Sequence, residues 1–307
     1  MLQATAVIET FAALRERARE AGPKRVAVVD ADDDVALTAA ADALEQGIAR
    51  PVLVGDAAAI LRRADALGLR RLVAEAELVD APDPSARAAR LARDGGASIL
   101  LKGHVRTDVL LKAVLDKEAG LRIGALLSDV LLYEDARDGV RRLVAVTDGG
   151  LNVAPTLDQK AQIVRNAVAV LHRLGIARPR VAVLSATEAV SASVPSTVDA
   201  QELTRMGAAG ELGEAEVFGP LALDNALLES AARIKGIASP VAGHADVLVV
   251  PNIEAGNLLG KSAKYLGGSA CAHVVVGAKV PILIPSRVES SEDKVNSIAL
   301  GVLFASR

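Results

Sequence analysis

The chain has 307 residues, of which 51% are apolar and only 2% aromatic. A core of small aliphatic side chains follows, in one large domain or two modest ones. A formal net charge of −3, with no strongly basic stretch, speaks against a nucleic-acid partner. The single cysteine, Cys271, leaves no disulfide framework within the chain and fits a reducing compartment. No apolar run reaches the roughly 18–20 residues that a membrane helix needs. The first residues lack a signal-peptide core, and Glu9, Glu16 and Glu20 argue against a transit peptide. A cytoplasmic protein with no membrane partner is expected.

Taken in chain order, residues 5–20 read as a helix, with Val7, Ile8, Phe11 and Leu14 at helical spacing, stopped by Gly22-Pro23. Arg25–Asp30 is a short β-branched run and reads as a buried strand. Residues 34–48 return to helix, and Pro51–Gly55 is the next strand. The alternation continues through strands at Ser98–Leu101, Leu143–Val146, Val181–Leu184, Val247–Val250, Val274–Val276 and Ile282–Ile284. A last helix is predicted at 291–304. Apolar strands separated by helices imply an α/β fold with a mainly parallel sheet covered on both faces. The charged, turn-prone Glu134–Arg142 segment is a candidate crossover, although a division into two domains is only weakly marked.

Ligands of open parallel sheets sit at the carboxyl ends of strands. Polar clusters follow several of the apolar runs there: Lys102 to Thr107, Thr147 to Asn152, Ser185 to Thr187, Pro251 to Asn257, and Ser286-Arg287. Their Gly, Ser, Thr, Asn, Lys and Arg content suits an anion such as phosphate.

Gly256 to Ser262 resembles a phosphate-binding loop, but three residues separate its glycines where that motif needs four. It reads as a strand-to-helix turn with Lys261 on the first helical turn and backbone N–H groups facing some anion. No G-x-G-x-x-G fingerprint and no G-x-S-x-G elbow occurs. His104, His172, His244 and His273 lack metal-ligand spacing, so no metal is expected. Cys271 begins an apolar run and reads as a small core residue rather than a nucleophile. At the C-terminal end, Arg287 offers a planar fork for phosphate oxygens, and Ser286 a hydroxyl beside it. Asp293 has a structural reading too: with Ser290 as N-cap it makes a variant capping box.

Blocks in a fixed order along the chain carry a family likeness. They are Lys102-Gly103 through Thr107 with Leu110–Ala113; Gly120–Gly124 with Leu127-Ser128; Asn152–Thr156; Phe218–Ala226; Ser239–Gly243 with Ala245-Asp246; Glu254–Asn257; Val276–Pro281; and Ser286-Arg287. By them the chain resembles the phosphate acetyltransferase and phosphate butyryltransferase family over nearly its whole length. The resemblance implies a two-domain α/β fold similar to the isopropylmalate dehydrogenase type, with a cleft between the domains. One domain would take 1–135 and 275–307, the other 136–274. It also implies a homodimer that needs no metal or cofactor. Acyl-CoA, CoA, inorganic phosphate and acyl phosphate would be its substrates and products.

The family's catalytic residues fall on Asp293, Ser286 and Arg287. The carboxylate of Asp293 would take the proton from the CoA thiol, and the thiolate would attack the acyl phosphate carbonyl. Arg287 would hold the phosphate, and Ser286 would stabilise developing charge. The strand-end clusters and the family blocks together nominate Lys102, Gly103, Arg106, Thr107, Lys112, Ser128, Asn152, Ser185, Asn257 and Lys261 for substrate binding. Departures from the family wording stand at Leu111, Asp129, His244, Asn252 and Gly260. By the same resemblance, a second phosphate-binding Arg of the acetyl-type enzymes falls on Leu111, so Lys102, Arg106 or Lys112 would supply the charge. Two rivals stay open: a non-catalytic CoA- or phosphate-binding protein on the same fold, which these departures permit, and a dehydrogenase of that fold, for which no nicotinamide signature is present.

Overall fold

Short apolar runs form strands and amphipathic runs form the helices over them, and a computed structural model describes residues 6–118, 120–139, 141–286 and 288–306. The chain divides into two units, Phe11–Ala125 with Cys271–Arg307, and Leu126–Ala270 with Met1–Thr10. The former, here the β1 unit, starts with α1 (Phe11–Glu20), β1 (Lys24–Val29), α2 (Asp34–Glu45), β2 (Ala49–Gly55), α3 (Ala57–Ala66), α4 (Arg70–Glu75), β3 (Glu77–Asp80), α5 (Pro84–Arg93), β4 (Ile99–Lys102) and α6 (Thr107–Leu115). The other, the β6 unit, holds β5 (Ser128–Asp135), β6 (Arg142–Thr147), α7 (Leu157–Arg173), β7 (Arg180–Leu184), α8 (Pro195–Ala208), β8 (Glu216–Leu221), α9 (Leu223–Leu227), α10 (Glu229–Ile234), β9 (Val247–Val249) and α11 (Ile253–Tyr265). The chain then returns to the β1 unit as β10 (Cys271–Val276), β11 (Ile282–Leu283) and α12 (Ser291–Ala305).

In the β1 unit the strand order is β3-β2-β1-β4-β11-β10, parallel except for β10. In the β6 unit it is β5-β6-β9-β7-β8, parallel except for β5. The predicted α/β class with mainly parallel strands under helices is therefore the class found. The most enclosed helix is α12, whose Val295, Ile298, Leu300 and Val302 are buried, and which packs on α1, α2 and β10. Burying each such side chain contributes about 1.5–3 kcal/mol.

Three expectations need correction. The first helix begins at Phe11 rather than residue 5, because Ile8 is buried instead in the β6 unit, where its N–H donates to the Leu174 carbonyl at 2.9 Å. The Glu134–Arg142 segment is not a crossover but the tip of the antiparallel β5–β6 hairpin. Asp135 anchors it: burial alone would raise its carboxyl, but hydrogen bonds from Arg137 and the charges of Arg137 and Arg142 hold it below its ordinary value. Gly256–Ser262 is not a loop; it lies wholly inside α11, whose N-cap is Asn252. The Gly256 N–H donates to the Asn252 carbonyl, so it is not presented to an anion. Gly256 is required for another reason: a Cβ there would meet the Gly149 Cα at 2.6 Å.

Candidate functional site

In the β1 unit, the register sets β1, β4 and β11 side by side, with Val29 opposite Lys102 and Leu283 opposite Leu101. Their carboxyl ends deliver Asp30, Lys102-Gly103 and, three residues past β11, Ser286 to one rim. The rim is stitched by backbone: Gly103 N–H donates to the Val29 carbonyl at 2.9 Å and His104 N–H to the Asp30 carbonyl at 2.8 Å. The Gly103 amide is thus already engaged, and its missing side chain allows β1 and β4 to converge. Lys102 is buried, with Nζ 3.5 Å from the Gly103 carbonyl. Burial, reinforced by Asp32 and Asp33 against the opposing charge of His104, raises the Asp30 carboxyl.

Next along the chain, α6 begins at Thr107 without a side-chain cap bond. Its first amides carry the positive end of the helix dipole and are not consumed by a cap, a suitable seat for an anion. Arg106 stands at the N-cap position, with its guanidinium turned to both carboxylate oxygens of Asp108 at 3.0 and 3.1 Å. Lys112 is not on this rim; it lines a groove with Arg90, Arg93 and Asp116.

The β11–α12 turn carries Ser286, and Asp293 stands in the first turn of α12, while Arg287 lies outside the described residues. The capping box expected of Ser290 and Asp293 is present. Asp293 Oδ2 accepts from the Ser290 hydroxyl at 2.7 Å and its N–H at 3.2 Å, and Oδ1 accepts from the Cys271 N–H at 3.0 Å. The carboxylate is buried and fixed in direction by donors from Ser290 and Cys271. Ser286 is half-buried; its carbonyl accepts from the Glu289 N–H at 3.2 Å and from Lys294 Nζ at 3.4 Å.

Sequence reasoning passed over Lys294. Its signal was a cation on the apolar face of α12, four residues before Ile298. It is 2% exposed. Burial pushes its ammonium below the ordinary value, against the charges of Asp33, Glu289 and Asp293, which favour the protonated form. The unfolded chain therefore holds this proton to higher pH than the folded one. Between the lowered folded value and the ordinary 10.5, the unfolded state binds more protons, so stability rises with pH. Lys294→Met should abolish that rise: urea unfolding at successive alkaline pH values should show the wild type gaining on the variant. Parallel curves would mean that Lys294 keeps an ordinary proton affinity.

In the β6 unit the nominated residues up to Asn257 gather at the carboxyl ends of the strands, whereas Lys261, expected on the first helical turn, is the ninth residue of α11 and stands in its third turn. Because β5 runs antiparallel to β6, its first residue, Ser128, stands at the carboxyl end of β6. Ser128 is fully buried and its hydroxyl accepts from Asn166 Nδ2 at 2.8 Å. Asn152 donates to the Leu127 carbonyl and to Asp148. Ser185, after β7, bonds Ser196 at 2.8 Å. Asn257, exposed on α11, reaches the Gly149 carbonyl at 3.4 Å, and Lys261 is exposed one turn further along. A residue absent from the sequence nominations is Asp148, buried, with its carboxyl raised by burial and then by Asp129, against the bonds from Gly150, Asn152 and Leu151.

Comparison with known proteins gives this arrangement a context. A family profile described as "Phosphate acetyl/butaryl transferase" matches residues 10–82 and 74–302. A phosphate butyryltransferase from Clostridium beijerinckii is 40% identical over 302 residues, spanning 97% of this chain and 99% of that protein. A phosphate acetyltransferase from Rhizobium meliloti is 40% identical over 293 residues, spanning 94% and 92%. Among solved structures, a branched-chain phosphotransacylase from Enterococcus faecalis V583 matches with a TM-score of 0.79 at 31% identity, covering 92% of this chain and 99% of that one.

Proposed function

The chain belongs to the phosphate acetyl/butyryl transferase family and is a phosphate acyltransferase, and from that premise we propose that it moves an acetyl or butyryl group between coenzyme A and inorganic phosphate. Asp293 takes the proton of the CoA thiol. The thiolate attacks the carbonyl of the acyl phosphate; the carbon–sulfur bond forms, the carbon–oxygen bond to phosphate breaks, and phosphate leaves. A free thiol has a pKa of roughly 8.5, so a positioned carboxylate is useful at neutral pH. Ser286 steadies the charge that develops on the carbonyl oxygen, and Arg287 holds the phosphate. Lys102 and the uncapped start of α6 at Thr107 supply further positive potential for the anion. Of the other nominated residues, Arg106, Asn152, Ser185, Asn257 and Lys261 serve binding, whereas Gly103 shapes the rim, and Lys112, off the rim, and the fully buried Ser128 take no part in it.

The observation that carries this reading is the family match running through the β11–α12 segment, together with a buried Asp293 whose carboxylate is held by Cys271 and Ser290 beside the Ser286 turn. The chemistry as written calls for no cofactor. On the same resemblance the enzyme is a homodimer, and its single cysteine favours the reducing cytoplasm; among the described residues no helix is long and apolar enough to cross a membrane.

Purified protein given acetyl-CoA or butyryl-CoA with phosphate should release free thiol and form the matching acyl phosphate, in a phosphate-dependent manner. Absence of thiol release with every short acyl-CoA would overturn the proposal and favour a binding protein on this fold.

A further inference from the structure

Cys271, His273 and Glu289 form a side-chain cluster that the acyl-transfer reading does not use. Cys271 and His273 are two apart on β10, so their side chains share a face. Glu289 reaches them from the turn before α12. One ligand-capable atom from each, a sulfur, a ring nitrogen and a carboxylate oxygen, lies within 4.8 Å of the other two. His273 Nε2 and Glu289 Oε1 are 3.3 Å apart. Cys271 and Glu289 are buried, and the His273 side chain is only 15% exposed.

A histidine–glutamate ion pair accounts for this poorly. Charge-assisted N–H···O⁻ bonds run about 2.7–2.9 Å, shorter than the separation found. A tetrahedron with metal–ligand bonds of about 2.0–2.1 Å has an N···O edge of roughly 3.3 Å. An ion pair also leaves Glu289 Oε2 unexplained, since that atom is shielded from solvent and has no hydrogen-bond partner among the described residues. A buried, unpartnered carboxylate oxygen costs about 1–3 kcal/mol or more unless something compensates it.

We propose that Cys271, His273 and Glu289 bind one zinc-class divalent cation, which ties the start of β10 to the turn carrying Ser286. The mixed sulfur, nitrogen and oxygen donors select zinc over magnesium or calcium, which prefer all-oxygen shells. Thiolate and carboxylate together neutralise the ion, and the nearby charges of Lys294 and Asp293 offset each other. Three protein ligands leave a fourth position for water. The ion serves the architecture of the turn and takes no part in the proton transfer assigned to Asp293, so the proposal stands apart from acyl transfer.

The test uses the full chain, freed of metal by chelator dialysis and titrated with cobalt(II) without substrates. The wild type should take up one cobalt per chain, with a thiolate-to-cobalt charge-transfer band and the intense visible absorption of four-coordinate cobalt. Zinc should displace both and raise the thermal midpoint. Cys271→Ser should lose the charge-transfer band, and His273→Gln and Glu289→Gln should each weaken binding roughly tenfold or more. No saturable uptake by the wild type would overturn the proposal whatever the variants do. An undiminished charge-transfer band in Cys271→Ser would overturn it as well, because the ion would then sit elsewhere.

Discussion

Asp293→Asn should lower turnover in acyl transfer by about 10²- to 10⁴-fold, the range for loss of a general base, while the chain remains folded. An amide keeps the shape of the side chain and one acceptor oxygen, but cannot carry away a proton. The substitution also touches the helix start. Oδ1 now accepts from the Cys271 N–H, and Oδ2 from the Ser290 N–H and hydroxyl. Whichever way the amide turns, its NH₂ group faces a backbone N–H, at a cost of about 1–3 kcal/mol. Ser290→Ala separates the two roles. It removes the hydroxyl that caps the Asp293 N–H at 3.2 Å, costs about 1 kcal/mol of stability, and keeps the carboxylate. Its turnover should stay near the wild-type value. Undiminished turnover in Asp293→Asn would put the base elsewhere. An equal fall in both variants would mean that Asp293 acts through the geometry of the turn rather than by taking a proton.

Central strands announced themselves in the sequence, and marginal ones did not. Runs such as Val26–Val29 and Val247–Val249 are apolar throughout because both faces are covered, a pattern few other elements produce. Strand β3 has only Leu78 and Val79 between two acids and lies at the end of its sheet, where polar side chains are tolerated. Strand β8 contains Gly219-Pro220, which reads as a turn, yet Gly219 is there because a Cβ would strike the Val183 carbonyl at 2.6 Å. The same confusion hid the body of α11, where Gly256 serves close approach to Gly149 and not chain reversal. At the site, the turn with Ser286 and the capping box at Ser290 and Asp293 could be anticipated from spacing. Lys294 and Asp148 could not, since charged residues are ordinarily exposed and only the fold makes these two buried. Nor could the neighbourhood of Cys271, His273 and Glu289, because the third member arrives from another element and no contiguous metal-binding spacing marks it.

The same substitution, glycine to alanine, should have opposite signs at two buried positions, and the larger effect should be at Gly103. A Cβ there would lie 2.4 Å from the Asp30 carbonyl oxygen and 2.8 Å from that of Val29. Both obstacles are backbone atoms at the end of β1, and both carbonyls already accept hydrogen bonds from Gly103 and His104. Neither can step aside as a flexible side chain would, so relief requires β1 and β4 to part where Val29 pairs with Lys102. Gly103→Ala should therefore cost on the order of 3 kcal/mol, at the upper end of overpacking effects, and should impair activity by displacing Lys102. Gly260 is also buried, but its added Cβ would meet only the Leu131 methyl groups, at 3.4 and 3.6 Å, an ordinary contact in the interior of α11. Gly260→Ala should stabilise by roughly 0.5–1 kcal/mol, as the helix gains from the less flexible residue. Urea unfolding of both variants checks the pair through the shift in midpoint at unchanged slope. A destabilisation below that of a typical surface change in Gly103→Ala would mean that the β1–β4 rim yields easily, and the nominated anion-binding residues of the β1 unit would then lack the fixed backbone on which their placement depends.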